Sequence, residues 1–424
     1  MTFASLGLSE PLVRAMTDLG CVEPTPVQRA AIPAVLRGGD VWASAPTGSG
    51  KTAAFLLPVL EALGASPGGS PRRTRALLVV PTRELAAQVA QAVEQYGRHL
   101  PRKLKTCLAV GGVSANPQMM ALRGGADVVV ATPGRALDLV DQNALRLSTV
   151  ETLVLDEADQ LLSLGFADEL NRLLALLPAR RQNLLFSATF PPGVRALAEK
   201  LLHEPTRVDV GAAEMPSADL IVQRAIEVDA GKRTMLLRHL IETHAWSHVL
   251  TFVASRYGAD HVALKLNRAG ITATALHGEL SQGARTQALA DFKAKRVKVL
   301  VATDVAARGL DIVQLPAVVN YDLPRSPVDY LHRIGRTGRA GEPGMAISFV
   351  SADTQAHFKL IERRHGLSLP RERLAGFEHV DVPAPPPLDV NGGVKGKRKS
   401  KKDKLREAAA AAAAVAPKGP TPRR

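Results

Sequence analysis

Short, almost uninterrupted apolar runs recur along this chain, and most of them end in a polar cluster. In the first half they are 76–80, 128–131, 152–155 and 183–186. In the second half they are 249–253, 297–301, 318–321 and 346–350. Runs that are apolar throughout, rather than alternating, predict strands covered on both faces of a parallel sheet. Helical stripes lie between them: Leu85, Val89, Val93 and Tyr96 fall at spacings of four, four and three. Strand and helix in alternation predict doubly wound α/β units. The polar clusters follow the strands. Pro81-Thr82-Arg83-Glu84 follows the first run, Thr132-Pro133-Gly134-Arg135 the second, Asp156-Glu157 the third and Ser187-Ala188-Thr189 the fourth. Thr303-Asp304 follows the run at 297–301. Open α/β sheets bind ligands beyond the carboxyl ends of their strands, so these clusters mark a candidate site.

Composition narrows the partner. The 424 residues suffice for two or more domains, and the net charge of +14 points to a polyanion. The charge is uneven. Residues 391–424 hold 11 Lys/Arg and 2 Asp/Glu, a net +9, leaving +5 for everything before them. Pro383-Ala384-Pro385-Pro386-Pro387 reads as an extended spacer. The basic run and the seven alanines beyond it, from Ala408, read as a disordered tail with a transient helix. Only Cys21 and Cys107 are present, too few for a disulfide framework or a zinc pattern. Neither a signal peptide nor a membrane-spanning run is visible, so a soluble, cytoplasmic protein without a membrane partner is expected.

Three segments carry chemistry. Ala45-Pro46-Thr47-Gly48-Ser49-Gly50-Lys51-Thr52 reads as a phosphate-cradling loop. Its glycines permit close approach, Lys51 suits the β- and γ-phosphates, and Thr52 suits Mg²⁺. The bland alternative is a glycine turn before a helix. Asp156 and Glu157 end an apolar strand, where one carboxylate can hold Mg²⁺ through water and the other can polarise an attacking water. Two adjacent acids alone would more often be surface decoration. Arg336 and Arg339, in His332-Arg333-Ile334-Gly335-Arg336-Thr337-Gly338-Arg339, suit charge on a transferring phosphate; the alternative is a nucleic-acid patch. A phosphate loop whose arginines lie in the other half of the chain predicts catalysis when two domains close.

Together these motifs resemble the DEAD-box family of ATP-dependent RNA helicases, over residues 2 to about 369. Within it, Gly111-Gly112-Val113-Ser114-Ala115-Asn116-Pro117-Gln118-Met119-Met120 and Ser281-Gln282-Gly283-Ala284-Arg285-Thr286 are similar to the bacterial RhlE-type subgroup. The resemblance implies two tandem RecA-like doubly wound parallel-sheet domains plus the disordered basic tail. The expected bounds are 1–209 for the ATP-binding domain, 210–218 for a linker, 219–369 for the second domain and 370–424 for the tail. It implies that Phe3 stacks on adenine and Gln28 reads its edge, although Phe3 also suits a core anchor. Asp311 looks like the ribose contact, with Ser187 and Thr189 coupling hydrolysis to closure. For RNA it implies Thr82, Arg83, Gly112, Thr132, Gly134 and Arg135 in the first domain. In the second it implies His277, Gly278, Gln282, Arg285 and Thr303. Hydroxyls, glycine amides and arginines suit a phosphate–sugar backbone, and aromatics at 4% leave little for base-stacking platforms. Contacts to 2′-OH groups would favour RNA over DNA.

The expected activity is ATP-dependent unwinding of short RNA duplexes or remodelling of RNA–protein complexes, with ATP and Mg²⁺ as cofactors. Single-stranded RNA and short duplexes are the expected partners. Ribosomal RNA or pre-ribosomal particles are suggested by the subgroup, in ribosome assembly or RNA turnover. Two rivals stand beside this: an RNA clamp whose slow ATPase is a timer, and a DNA translocase. Pro46, Gln160 and Ser163 depart from residues frequent in the family, where Gln, Arg and Asp are common, which bears on coupling between the domains.

Overall fold

The computed structural model of the protein describes residues 2–377 except 47, 67–70, 211–220, 308–311, 313–314 and 339–342. The apolar runs become strands because each can bury both of its faces. In the first half the strands are β1 (Val41–Ser44), β2 (Ala76–Val79), β3 (Thr106–Ala109), β4 (Val128–Ala131), β5 (Thr152–Leu155), β6 (Gln182–Ser187) and β7 (Thr206–Asp209). All their pairings are parallel, in the order β3-β4-β2-β5-β6-β1-β7. Alternate residues of one strand enter opposite cores. Leu78, Val128, Val130 and Val154 pack on one face; Leu77, Val79, Val129 and Leu153 pack on the other. Each fully buried aliphatic side chain contributes about 1.5–3 kcal/mol.

The second half repeats this plan. Its strands are β8 (Ile221–Glu227), β9 (Val249–Val253), β10 (Ala273–Leu276), β11 (Val299–Thr303), β12 (Ala317–Asn320), β13 (Gly344–Val350) and β14 (Arg371–Glu372). They too are all parallel, in the order β10-β11-β9-β12-β13-β8-β14. Counted within its own half, this is the same winding as the first sheet. The helical stripe from Leu85 to Tyr96 lies on the helix Arg83–Tyr96, as expected.

Two boundaries differ from expectation. The strand expected at 297–301 is Val299–Thr303, because the amides of Arg296 and Val297 fold back onto the Asp291 carbonyl and Lys295 turns with a φ of 59°. Thr303 therefore ends the strand instead of following it. The second half also continues beyond the expected limit at Leu369. Arg371–Glu372 pairs with β8, and Leu374 and Phe377 pack on the core. The expected linker, apart from Val210, and the tail beyond residue 377 lie outside the described residues. Among the described residues, no helix is long and apolar enough to cross a membrane.

Asp127, just ahead of β4, joins the entrances of three neighbouring strands. Its Oδ2 accepts from the Lys105 amide at 2.8 Å and from Arg72 at 2.7 Å, and its Oδ1 accepts from Arg102 at 2.8 Å. Burial alone would raise this carboxyl, but the Lys105 amide and the two arginines outweigh it and hold it below the ordinary carboxylate range. A carboxyl depressed by folding stabilises the fold above its unfolded pKa, and loses that contribution as pH falls through its folded pKa. Asp127→Asn is expected to cost about 2–3 kcal/mol at neutral pH. Denaturation of both proteins across pH should show a constant gap above about pH 4 that narrows below it.

Candidate active site

The loop between β1 and the helix Lys51–Ala65 is shaped by two left-handed glycines, Gly48 at φ 80° and Gly50 at φ 92°. A Cβ on Gly50 would lie 2.4 Å from Nε2 of Gln28. Lys51 is 6% exposed, and its Nζ donates to the Ala45 carbonyl at 2.8 Å, folding the ammonium across the loop. Ser49 Oγ donates to the Pro46 carbonyl at 2.7 Å, and Thr52 occupies the first helical turn. Thr47 lies outside the described residues. Gln28 uses both ends of its amide: Oε1 accepts from the Thr25 amide at 2.9 Å and Nε2 donates to the Gly50 carbonyl at 3.1 Å. It thereby ties the helix Pro26–Leu36 to the loop. Phe3 corrects its expectation. Its side chain is 2% exposed within the core beneath the first sheet, so the ring offers no open face to a base and acts as the anchor.

The acids follow β5. Asp156 is buried, and its Oδ1 accepts from the Glu157 amide at 2.9 Å. Burial pushes the Asp156 carboxyl up against the opposing charge of Lys51. Burial likewise pushes Glu157 up to about 7; the charge of Asp156 adds to this, while Lys51 and Arg336 oppose it. Arg336 belongs to the second half of the chain, so cations from both halves act on one carboxylate. Glu157 adopts φ 51° and ψ 50°, a left-handed conformation that costs a side-chain-bearing residue free energy and recurs at functional sites.

Behind the acids, Asp159 locks the two expected coupling residues. Its Oδ2 accepts from the Thr189 hydroxyl at 2.7 Å and the Thr189 amide at 3.1 Å. Its own amide donates to Ser187 Oγ at 3.2 Å, and that hydroxyl donates to the Thr189 carbonyl at 2.8 Å. Across the cleft, Arg333 is 2% exposed, paired with Asp304 and bonded to Asn320 and the Asp322 carbonyl. It anchors its helix and is not available to a ligand. His332 meets Gln160, with Nδ1 3.2 Å from Nε2. Burial pushes the His332 imidazole down to about 4, with Lys51 and Arg336 adding to it and Asp159 opposing. Arg339 and Asp311 lie outside the described residues.

A second cleft of about 530 Å³ lies between the halves and gathers Thr82, Arg83, Gly112, Thr132, Gly134, Arg135 and Arg285. Six of these residues come from the carboxyl ends of β2, β3 and β4; the positions after β2 and β4 were predicted, whereas the strand ahead of Gly112 was not. Several hydroxyls and arginines also hold the loops. Thr82 Oγ1 caps its helix by accepting from the Leu85 amide, and Thr132 Oγ1 accepts from the Gly111 amide. Arg135 donates to the Val113 carbonyl at 2.8 Å, yet its buried Nη1 has no partner in the protein. The Arg83 guanidinium lies over Gly112, where a Cβ would come within 2.1 Å of it.

Sequence reading passed over Glu84. It is 7% exposed, pairs with Arg285 at 2.9 Å and accepts from Gln282 at 3.3 Å, while Gln282 accepts from Arg83 at 3.2 Å. Two residues expected to grip RNA, Gln282 and Arg285, are thus joined across the cleft to one buried acid, and a third, Arg83, reaches across to Gln282. The only signal was its place in the polar cluster after β2. Leu164 and Phe166 of the first half and Val305 of the second add an apolar lining that no motif announced. Gly278 is exposed, His277 is buried with Nε2 3.1 Å from Asp260 Oδ1, and Thr303 is half-buried.

Comparison with known proteins agrees with this architecture. A family model described as DEAD/DEAH box helicase matches residues 25–197, and one described as helicase conserved C-terminal domain matches residues 231–341. The chain is 40% identical over 360 residues to the ATP-dependent RNA helicase CshA of Listeria monocytogenes, covering 85% of this chain and 68% of that one. Among solved structures, S. cerevisiae Dbp5 bound to RNA and ADP BeF3 aligns with a TM-score of 0.79 at 32% identity, covering 88% of this chain and 95% of that one. A DEAD box protein from Methanococcus jannaschii aligns at 0.52 despite 36% identity, covering 88% and 99%.

Glu84→Ala is expected to leave Arg285 buried without a carboxylate, costing the closed arrangement about 3–5 kcal/mol. Small-angle scattering should then show a larger radius of gyration, with an unchanged far-ultraviolet circular dichroism spectrum.

Proposed function

The chain belongs to the DEAD-box helicase family, and from that premise we propose that it couples ATP hydrolysis to closure of its two halves on RNA. The family establishes the activity, an ATP-dependent RNA helicase that hydrolyses ATP. The observation that carries the mechanism is the charge of Arg336, from the second half, acting on Glu157 of the first. The better superposition on an RNA- and ADP BeF3-bound structure than on a more identical one supports reading this arrangement as the closed form.

In this reading the triphosphate lies on the loop Ala45–Thr52. Lys51 leaves the Ala45 carbonyl and neutralises the β- and γ-phosphates. Glu157, with a carboxyl raised to about 7, accepts a proton from the attacking water. Oxygen attacks the γ-phosphorus, the bond to the β–γ bridging oxygen breaks, and ADP leaves with that electron pair. Arg336 and Arg339 stabilise the charge that develops. Among the described residues, no group of three or more His, Cys, Asp or Glu is placed to hold a metal. One buried carboxylate, Asp156, and the Thr52 hydroxyl fit Mg²⁺, which is usually held by one or two carboxylates plus substrate phosphates and water. Bound there, the ion would neutralise phosphate charge.

RNA occupies the cleft lined by Thr82, Gly112, Thr132, Gly134 and Arg135, through its phosphate–sugar backbone. The unpartnered Nη1 of Arg135 supports an anionic occupant. Gly278 and Thr303 extend the contact onto the second half, and the basic segment 391–424 tethers RNA by salt-sensitive attraction. An RhlE-type role in ribosome assembly or RNA turnover, in the cytoplasm, is the finer reading.

Glu157→Gln should retain ATP and RNA binding and lose turnover by about a hundredfold or more. A normal steady-state rate would remove Glu157 as the base. Arg336→Ala should slow RNA-stimulated hydrolysis by about a thousandfold. Release of a labelled strand from a short duplex, measured beside ATP turnover, tests unwinding directly; hydrolysis without release would favour a clamp. Removing residues 391–424 should weaken RNA binding most at low salt, and an effect equal at all salt concentrations would reject the tether.

A further inference from the structure

We propose that Gln160 is the positioning residue that transmits closure from the acidic motif to Arg336, through its hydrogen bond to His332. The inference rests on the reading that hydrolysis requires the halves to close, and it names the contact that registers them. Gln160 is 5% exposed, and its Nε2 stands 3.2 Å from Nδ1 of His332. Nitrogen donating to nitrogen requires an unprotonated Nδ1, so the imidazole is neutral with its proton on Nε2. Ser163 agrees with this orientation of the side-chain amide. Its hydroxyl is shared between the Gln160 carbonyl at 3.2 Å and Oε1 at 3.3 Å, which leaves Nε2 for His332.

Each end of this bond is fastened to a catalytic element. On the first half, the backbone N–H of Gln160 donates to Asp159 Oδ1 at 3.0 Å, and the other oxygen of Asp159 holds Thr189. Gln160 therefore shares one carboxylate with the segment Ser187–Thr189, and both move with the acids at the end of β5. On the second half, His332 lies on the helix Pro327–Ile334, which Arg333 pins to Asp304, Asn320 and the Asp322 carbonyl. Just beyond this helix the Arg336 amide donates to the Arg333 carbonyl at 3.2 Å, and the Arg336 carbonyl accepts from Leu315 at 3.1 Å. His332 and Arg336 are thus parts of one rigid piece. A displacement of His332 relative to Gln160 becomes a displacement of Arg336 relative to Glu157. Where a catalytic charge must be held within a fraction of an ångström, loss of such a register is felt in the rate rather than in ground-state binding.

The contact differs in kind from the latch around Glu84. That latch is an ion pair between a carboxylate and a guanidinium, on the RNA side of the interface. The Gln160–His332 bond joins two uncharged groups on the nucleotide side. It is directional and weak, so it suits setting a register better than holding the halves together.

The test is a double-mutant cycle on the full chain, with RNA-stimulated ATP turnover and RNA-free ATP affinity as separate readouts. Gln160→Met keeps the length of the side chain and removes the donor; it should lower RNA-stimulated kcat by about five- to tenfold. ATP affinity without RNA should change less than twofold. His332→Ala should lower kcat at least as far, and the double variant should be no slower than His332→Ala alone. Ser163→Ala should give a smaller loss in the same direction. Wild-type kcat in Gln160→Met, or losses that multiply in the double variant, would overturn the proposal while leaving closure-dependent hydrolysis standing. A wild-type protein without RNA stimulation would overturn both.

Discussion

Asp156 is buried and Glu157 half-buried at the end of one sheet, and cationic charge reaches Glu157 from two directions. Lys51 approaches from the same half, and Arg336 from the other. Buried carboxylates are costly without cationic partners, so the site is electrostatically complete when the halves meet. This makes the interface between the sheets part of the chemistry. Glu157 itself holds a left-handed backbone conformation, a strained state for a residue that carries a side chain.

Around this constraint the structure sets two separate fastenings. On one side, Asp159 gathers Ser187 and Thr189 into a unit behind the acids. On the other, Glu84 joins Gln282 and Arg285 across the cleft lined by Gly111, Gly112, Gly134 and Arg135. The two sheets that carry them are wound in the same strand order. A duplicated winding places the carboxyl ends of both sets of strands where they can face a shared cleft, so each half contributes loops of the same kind.

Much of the site was legible because its chemistry is local. A glycine loop before a helix, acids after an apolar strand, and polar clusters after successive strands are patterns of adjacent residues, and among the described residues most kept their expected place, Thr303 being the exception that ends its strand. Phe3 was not legible in this way. An aromatic near a nucleotide motif is the same letter whether it stacks on a base or fills a core, and only its 2% exposure separates the two. Gln28 was read for the hydrogen-bonding capacity of its amide, and the structure shows that capacity used on Thr25 and Gly50. Arg333 and Arg336 look equivalent in sequence, yet one is consumed by Asp304 while the charge of the other acts on Glu157.

The amino-acid sequence by itself determined the parallel sheets and marked the glycine loop and the two acids as the candidate site. Strand burial follows from runs of apolar residues, and phosphate geometry follows from a few consecutive torsions. The tertiary structure alone decided which partner each charged or amide side chain takes. The partners that join the two halves lie more than a hundred residues apart in the chain, as with Glu84 and Arg285 or Gln160 and His332. Nothing local can specify these pairings between the halves, because they exist only once both sheets have packed and turned their strand ends toward one another.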